Sequence, residues 1–311
     1  MSSPKPLKYA SCRALPDEFK STQMTDSYRY QKIARSRIAT FDIFSIGLKK
    51  HHINAMLEFD VTESRLKLRD LRKKGIAISF NAWLLKVIGT VINMHPEAAA
   101  YLYNKKKLII FNDINVSMLI EKKINDTKVP IPIVIEKVNE KTAFEITQEI
   151  EQAKSQVLHS KDIVLKKQSN FFERLYYHLP GFLRRLFWKL LLKRPKTAFK
   201  TMGNVAITSV GMMGRINGWF IHKSVHPISF GIGSVLKKPV VIENNIKIRE
   251  ILNITVLVDH DVIDGVPMVR FLDDLTKYIE KGKEINKTNA WHGRDLSVLP
   301  TTKNIKLTNE R

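Results

Sequence analysis

A histidine between two aspartates carries the strongest chemical signal in the sequence. The run 259–265, DHDVIDG, follows a β-branched stretch and precedes a segment with helical apolar periodicity. A strand is therefore expected to deliver His260 to its C-terminal end, where imidazole can act as a general base. Asp264 is placed to cap the following helix, and Gly265 lets the chain turn. The alternative is an ordinary surface or core histidine in a strand–helix corner.

A pair of hydroxyl residues ends an earlier strand. Thr208 and Ser209 close the β-rich run 204–210 ahead of a glycine, and Thr208 stands 52 residues before His260. Because side chains alternate along a strand, only one of the two hydroxyls can face the histidine. A histidine beside a hydroxyl also suits a serine-type hydrolase, but the sequence has no G-x-S-x-G elbow.

The elements that must position these residues follow from periodicity and capping. Ser79 is the predicted N-cap of a helix that Pro96 ends. Strands and helices are interspersed without regular β–α alternation, which predicts an α/β two-layer sandwich with a mixed sheet. Strands are predicted near 52–62, 107–111, 114–120, 132–138, 204–210, 228–235 and 246–258, and helices near 63–74, 80–94, 142–157 and 266–279.

A basic insert interrupts this pattern. Residues 161–200 carry 11 Lys/Arg against 2 Asp/Glu. A helical wheel over 182–193 places Arg185, Lys189 and Lys193 on one face and leucines and phenylalanines on the other, which is typical of a basic amphipathic helix. This helix is expected either to pack its Leu/Phe face on the domain or to contact a membrane surface through residues 171–196. The expected organisation is an arm at 1–40, a catalytic domain at 41–282 that includes the insert, and a tail at 283–311.

The net charge of +22 indicates an anionic partner: nucleic acid, acidic lipid or a polyphosphate ligand. Zinc-finger spacing, an RNA-binding aromatic signature and a glycine-rich phosphate loop are all missing, so nucleic acid is disfavoured. The single cysteine, Cys12, excludes a disulfide framework within one chain. The N-terminus has no signal-peptide pattern, and no apolar run spans a bilayer, so a cytoplasmic or membrane-surface location is expected. Two histidine pairs, 51–52 and 222/226, lack a third ligand, so no bound metal is expected.

The chain resembles the catalytic domain of the dihydrolipoyl acyltransferases of 2-oxoacid dehydrogenase complexes and, more distantly, chloramphenicol acetyltransferase. The family signature D-H-x-x-x-D-G is present at 259–265, and a G-x-F-T-I-S-S-x-G-like strand is present at 203–211. Further similarity follows the family's order over roughly 40–160 and 200–282. Two separated motifs in register are more specific than either motif alone.

The resemblance implies the fold and the roles of the site residues. It implies a chloramphenicol acetyltransferase-like two-layer sandwich and a homotrimer with the site between subunits. His260 would deprotonate a thiol, hydroxyl or amine acceptor that attacks acyl-coenzyme A, and Thr208 would donate a hydrogen bond to the oxyanion. Asp264 would hold the histidine loop, with Asp259 and Gly265 completing the structural motif.

Three further residues fall where the family contacts its substrate. Ser209 is the alternative hydroxyl, and Gly231 and Gly233 align with a glycine-containing strand. An ordinary strand with close backbone packing is the alternative for the two glycines. Coenzyme A is expected as a cosubstrate. The forty residues before the catalytic region leave no room for a lipoyl domain, so no lipoyl group is expected on this chain, although one could be supplied in trans.

One position departs from the family pattern. Relatives usually carry arginine after the motif histidine, and this chain carries Asp261. A carboxylate that faced the imidazole would raise its pKa and weaken it as a base, whereas strand alternation favours a solvent-facing Asp261. Two other functions therefore stay open: a non-catalytic trimeric scaffold, and a hydrolase or condensation-like relative that uses the same histidine.

Overall fold

The computed structural model describes residues 28–33, 36–124, 127–155, 176–209, 214 and 216–285. Three predicted segments lie wholly or mainly outside these residues: most of the arm, the first part of the insert (161–175) and the tail from 286 onward. The first helix begins at Ser36, so the last five residues of the predicted arm at 1–40 are helical.

Seven α-helices and eight strands lie wholly within the described residues, and residues 176–178 are also helical. Helices α1 to α7 span Ser36–Gly47, Thr62–Lys73, Phe80–Met94, Ala143–Ser155, Gly181–Leu192, Pro195–Met202 and Gly265–Glu280, with a 3-10 turn at Pro96–Ala99. Strands β1 to β8 span His52–Asp60, Tyr101–Asn104, Lys107–Ile109, Val116–Ile124, Thr127–Ile135, Val205–Ser209, Ile228–Ile242 and Asn245–Asp259.

Six of the strands form one mixed sheet in the order β1-β8-β7-β6-β4-β5. The pairs β4–β6 and β6–β7 are parallel, and the other neighbours are antiparallel. Helices α2, α3, α4 and α7 contribute buried side chains to the same core as this sheet. The mixed sheet and its helix layer confirm the predicted α/β two-layer fold.

Helix α3 is the centre of that layer. Ser79 caps it as predicted, because the Ser79 side chain accepts a hydrogen bond from the Ala82 N–H at 3.1 Å. Trp83 is fully buried, and its indole N–H donates to the Lys283 carbonyl at 2.8 Å, so the ring enters the core without an unpaired donor. Helix α7 packs beside α3 through a buried stripe at every fourth position, Phe271, Leu275 and Ile279.

Strands β7 and β8 form a hairpin longer than the sequence predicted. Each has 15 residues, whereas the predicted strands stopped at Val235 and restarted at Ile246. The two-residue turn, Glu243 and Asn244, has positive φ at both positions, as a type I′ hairpin turn requires. The extension was missed because Lys237-Lys238-Pro239 is atypical of a strand, although Pro239 pairs with Ile248 in the ladder.

The insert packs on the domain by a different face of α5 from the one predicted. A second apolar cluster joins α1, α5 and α6 through Ile46, Ala198 and Met202, with Trp188 and Leu192 of α5 packed against it. Five apolar side chains on the opposite side of α5 are exposed instead of buried on the domain: Phe182, Leu183, Leu186, Phe187 and Leu190. The expectation that the whole Leu/Phe face packs inward is therefore wrong.

In the described part of the chain, no helix combines the length and the apolar character needed to cross a membrane.

Burial of His226 predicts a pH-dependent stability. Its Nε2 lies 3.0 Å from the Met202 carbonyl oxygen, and burial lowers the pKa of His226 to about 4. Between about pH 4 and the ordinary value near 6.5, the unfolded chain binds a proton that the folded chain does not. Stability therefore falls as the pH drops through this window, and this residue alone contributes about 2 kcal/mol of loss at pH 5.

Urea unfolding at pH 7 and pH 5 checks this prediction. His226→Gln is expected to reduce the difference in unfolding free energy between the two pH values, and substitution of the exposed His178 by glutamine should leave it as in the wild type. An unchanged pH dependence in His226→Gln would contradict the assignment.

Candidate active site

The predicted histidine lies on the loop between β8 and α7. The backbone N–H of His260 donates to the His51 carbonyl at 2.9 Å. Ile263 is buried in the main core and anchors the other end of the loop. The His260 side chain is 49% exposed, so a substrate can reach the ring from outside the subunit.

A buried ion pair holds this loop to the start of β1. Asp259 is 2% exposed, and its carboxylate forms an ion pair with the ammonium of Lys50, which is 22% exposed. The other carboxylate oxygen accepts the Asp261 N–H at 3.3 Å. A buried carboxylate needs a countercharge, so Lys50 helps to position the histidine loop, and the sequence analysis did not single it out. The only local signal was the basic run 49–52, whose relation to Asp259 depends on the distant pairing of β1 with β8.

The departure from the family pattern, Asp261, binds a neighbouring histidine. Its carboxylate lies 3.0 Å from Nδ1 of His51 on the protein surface. The hydrogen bond to Asp261 raises the pKa of His51, and the charge of the same carboxylate adds to the effect. The Asp261 carboxylate thus pairs with His51, a contact that no sequence pattern predicts.

Asp264 does not cap α7 through its side chain. It occupies the N-cap position with an extended backbone, but its carboxylate makes no capping hydrogen bond, and the side chain is 91% exposed. The Asp264 carboxylate lies 4.0 Å from Nδ1 of His260, beyond hydrogen-bond distance. The predicted capping role is wrong, and the contacts that fix the loop come from Asp259 and the backbone of His51.

Thr208 and Ser209 point to opposite faces of the sheet. Ser209 lines a cavity of about 10 Å³ on the helix side, together with Leu84 and Leu85 of α3. That volume holds about one water molecule, so the structure gives no support for a substrate-binding role of Ser209. Thr208 pairs in register with Gly231 and lies on the face of the sheet opposite Ser209. Thr208 is partly exposed there, whereas Gly231 is buried.

Thr208 and His260 are far apart within one chain. Thr208 lies opposite Gly231, which lies opposite Thr255 on β8, five residues before His260. At roughly 3.3 Å per residue and about 4.8 Å per strand, the two backbones are roughly 16 Å apart along the strands and about 10 Å apart across them. A single subunit therefore does not bring the two side chains to one reacting atom.

The 216–222 segment fills the space beside the two predicted substrate-binding glycines. A Cβ on Gly231 would lie 2.9 Å from Nδ1 of His222 and 3.1 Å from the Phe220 carbonyl oxygen. A Cβ on Gly233 would lie 2.9 Å from the Asn253 carbonyl oxygen of β8 and 3.5 Å from the Gly218 carbonyl oxygen of the 216–222 segment. Both glycines thus permit close packing, as the alternative interpretation expects, and their contact with substrate stays a prediction.

The mostly buried imidazole of His222 lies on the Thr208 face of the sheet. Nε2 of His222 lies 2.9 Å from the Ser229 hydroxyl, and burial lowers the pKa of His222 to about 4. The sequence reasoning considered His222 only as a metal ligand with His226. Among the described residues, no three His, Cys, Asp or Glu side chains lie together as a metal site would require.

Comparison with known proteins gives a consistent result. The sequence model of the 2-oxoacid dehydrogenases acyltransferase (catalytic domain) matches residues 31–164 and 196–286. The unmatched stretch between the two matches contains α5. The dihydrolipoyllysine-residue acetyltransferase component of the pyruvate dehydrogenase complex of Mycoplasma genitalium is 24% identical over 287 residues, which cover 89% of this chain and 65% of that protein.

Two solved structures show the same fold. A probable dihydrolipoamide acetyltransferase from Listeria monocytogenes has a TM-score of 0.59 at 20% identity, covering 85% of this chain and 98% of that one. The dihydrolipoamide acetyltransferase of Azotobacter vinelandii has a TM-score of 0.58 at 16% identity, covering 89% of this chain and 99% of that one.

The chain spans about half to two thirds of the length of the curated relatives it matches. The family match covers well over half of this chain, in two blocks that include β1, β6 and the histidine loop. The chain therefore belongs to the 2-oxoacid dehydrogenase acyltransferase family, through that family's catalytic domain.

Proposed function

We propose that the chain is an acyltransferase that moves an acyl group between coenzyme A and a thiol, hydroxyl or amine acceptor. His260 of one subunit is the general base, and Thr208 of a neighbouring subunit is the oxyanion donor. The observation that carries the proposal is a shared spacing. The catalytic mechanism of the Azotobacter vinelandii enzyme involves a serine, a histidine 52 residues later and an asparagine four residues beyond it. Thr208, His260 and Asp264 have the same spacing here.

The separation of the two groups within one chain supports a site between subunits. Thr208 and His260 are both partly exposed, each at the surface of its own subunit. A closed homotrimer would bring the Thr208 face of one subunit to the histidine loop of the next, since heterologous contacts in a ring pair two different surfaces.

In the proposed reaction, His260 takes one proton from the acceptor and later gives it to the departing thiolate. The acceptor proton passes to Nε2 of His260 as the acceptor heteroatom bonds to the thioester carbon. The carbonyl oxygen becomes an oxyanion that accepts a hydrogen bond from the Thr208 hydroxyl. When the intermediate collapses, the carbon–sulfur bond breaks, and the imidazolium returns the proton to the departing thiolate. Coenzyme A leaves as the free thiol.

The charges around the loop suit this role for His260. The Asp259 carboxylate is neutralised by Lys50, and the Asp261 carboxylate binds His51. Asp264 lies 4.0 Å away and is exposed to water, which screens its charge. The imidazole is therefore not held by a direct carboxylate hydrogen bond, and it keeps a ring nitrogen for the acceptor.

The name of one relative indicates which class of acceptor to test first. The Mycoplasma genitalium protein is named for transfer to a dihydrolipoyl-lysine residue, so a dithiol presented on a lipoyl arm is the first acceptor to test. The strongly basic chain suits the phosphates of coenzyme A. A hydrolase would release coenzyme A without any acceptor, and a scaffold would release none.

Replacing the proposed base is expected to slow transfer strongly while the fold is retained. His260→Ala removes proton transfer, which is worth roughly 10²- to 10⁴-fold in rate. The measurement is coenzyme A release from acetyl-coenzyme A in the presence of dihydrolipoamide. The exposed His178 provides the matched control, because His178→Ala should retain the wild-type rate. A wild-type rate in His260→Ala would rule out the proposed base.

Two substitutions of the oxyanion donor distinguish the effect of the Thr208 hydroxyl from the effect of the side chain's volume. Thr208→Val keeps the volume but removes the donor, and a loss of about 10²- to 10³-fold is expected. Thr208→Ser keeps the hydroxyl and should retain most of the activity. If valine and serine at this position gave equal rates, the hydrogen bond to the oxyanion would be refuted.

Mixing two inactive variants tests the assignment of the site to two subunits. His260→Ala and Thr208→Val chains are unfolded together and reassembled in equal amounts. If His260 of one subunit works with Thr208 of the next, about a quarter of the interfaces join two intact residues, and about a quarter of the wild-type activity returns. A site built within one chain would stay inactive in every mixture.

Asp261→Asn tests whether the unusual aspartate acts on His51 or on the catalytic ring. Loss of the carboxylate should lower the pKa of His51, because the raised value depends on the hydrogen bond to Asp261. NMR titration of the His51 ring measures this shift, and the transfer rate should change little. A large loss of activity with an unchanged His51 titration would contradict the interpretation.

A further inference from the structure

The exposed side of α5 combines apolar and basic side chains and has no acidic ones. Five large apolar residues of this helix are between 36% and 63% exposed: Phe182, Leu183, Leu186, Phe187 and Leu190. Three exposed basic residues, Arg185, Lys189 and Lys193, lie on the same helix or at its C-terminal end. Residues 181–202 contain seven Lys/Arg and no Asp/Glu. The exposed apolar side chains and the three basic residues together are called the α5 face below.

The domain holds α5 rigidly with the α5 face outward. Arg184 is mostly buried, and its Nε donates to the Asp42 carboxylate of α1 at 2.7 Å. The Trp188 indole N–H donates to the Tyr176 hydroxyl, which in turn donates to Asp42 at 3.0 Å. Leu191 is buried beside them. These contacts fix the rotation of the helix, so the apolar side chains cannot turn inward to escape water.

We propose that the α5 face binds the surface of an anionic lipid bilayer. A helix of 12 residues is about 18 Å long, too short to span a hydrocarbon core of about 30 Å, so it would lie in the plane of the interface. Apolar side chains would enter the acyl boundary, and the lysines and arginine would meet the lipid phosphates.

The charge of the α5 face selects this occupant over two others. A second copy that docked through the same face would bring the same basic residues, and each copy carries a net charge of +22, so the two copies would repel each other. A nucleic acid would neutralise the basic residues, but it offers no apolar surface for five exposed leucine and phenylalanine side chains. An anionic bilayer satisfies both kinds of side chain at once.

The family comparison gives an independent reason to treat α5 as a feature of this chain. The matched blocks end at residue 164 and resume at 196, so α5 lies in the stretch that the family pattern does not include. The proposal therefore stands apart from the acyltransferase proposal and does not depend on it.

Vesicle flotation of the full chain tests the proposal. The wild type should float with vesicles of equal parts phosphatidylcholine and phosphatidylglycerol, and it should stay in the dense fraction with phosphatidylcholine alone. The variant Phe182→Gln/Leu186→Gln/Leu190→Gln and the variant Arg185→Gln/Lys189→Gln/Lys193→Gln should each lose at least about tenfold in partitioning. Glutamine keeps the helix propensity, and all six side chains are exposed, so both variants should unfold like the wild type.

A control variant removes three exposed apolar side chains from the β7–β8 hairpin, away from α5. Val241, Ile246 and Ile248 are 69–77% exposed near the tip of the β7–β8 hairpin, and their replacement by glutamine should leave flotation unchanged. Equal flotation of the wild type and the α5 variants, or an equal loss in the hairpin control, would overturn the assignment. Failure of the wild type to float with either kind of vesicle would also overturn the assignment. A change of oligomeric state in sedimentation on replacement of the apolar α5 residues would overturn it too, because it would indicate a second copy of the chain as the occupant.

Discussion

The antiparallel pairing of β1 with β8 is the constraint on which the candidate site depends. Its register sets His52 opposite Asp259, so the residues just before β1 meet the residues just after β8. Lys50 then neutralises a carboxylate that would otherwise be buried without a countercharge, and the His51 carbonyl accepts the His260 N–H. Removing one partner from a buried ion pair typically costs about 3–5 kcal/mol, because the other charge stays buried. The loop is thus held by an interaction whose loss would disturb both folding and the histidine.

Local periodicity in the sequence was sufficient to predict most of the helix layer and the position of His260. The Ser79 cap, the apolar face of α3 and the four-residue stripe of α7 depend on near neighbours in the chain, and these elements follow from the sequence with ends shifted by one or two residues. The position of His260 between a strand and a helix follows in the same way. Alternation along β6 also separates Thr208 from Ser209, and the structure places these two side chains on opposite faces.

Contacts between segments that are distant in the sequence could not be predicted from local periodicity. The pairing of Lys50 with Asp259 joins residues 209 positions apart, and nothing local to either residue indicates the other. The packing of His222 over Gly231 depends on the path of a connecting segment, which has no periodic pattern. Asp264 was expected to cap α7 because of its position, but a side-chain cap also requires a particular rotamer, and an exposed carboxylate can be hydrated instead. The rotation of α5 could not be predicted from the sequence either. Arg184 pairs with Asp42, which is far away in the sequence, and this contact turns the Arg184 side of the helix toward the protein.

Helix α1 connects the two regions of the molecule that have proposed roles. Asp42, near its middle, holds α5, and the helix ends at Gly47, three residues before Lys50 and the contact with the histidine loop. Through α1, docking of α5 on a lipid layer would set both the height and the tilt of the reaction centre above that layer.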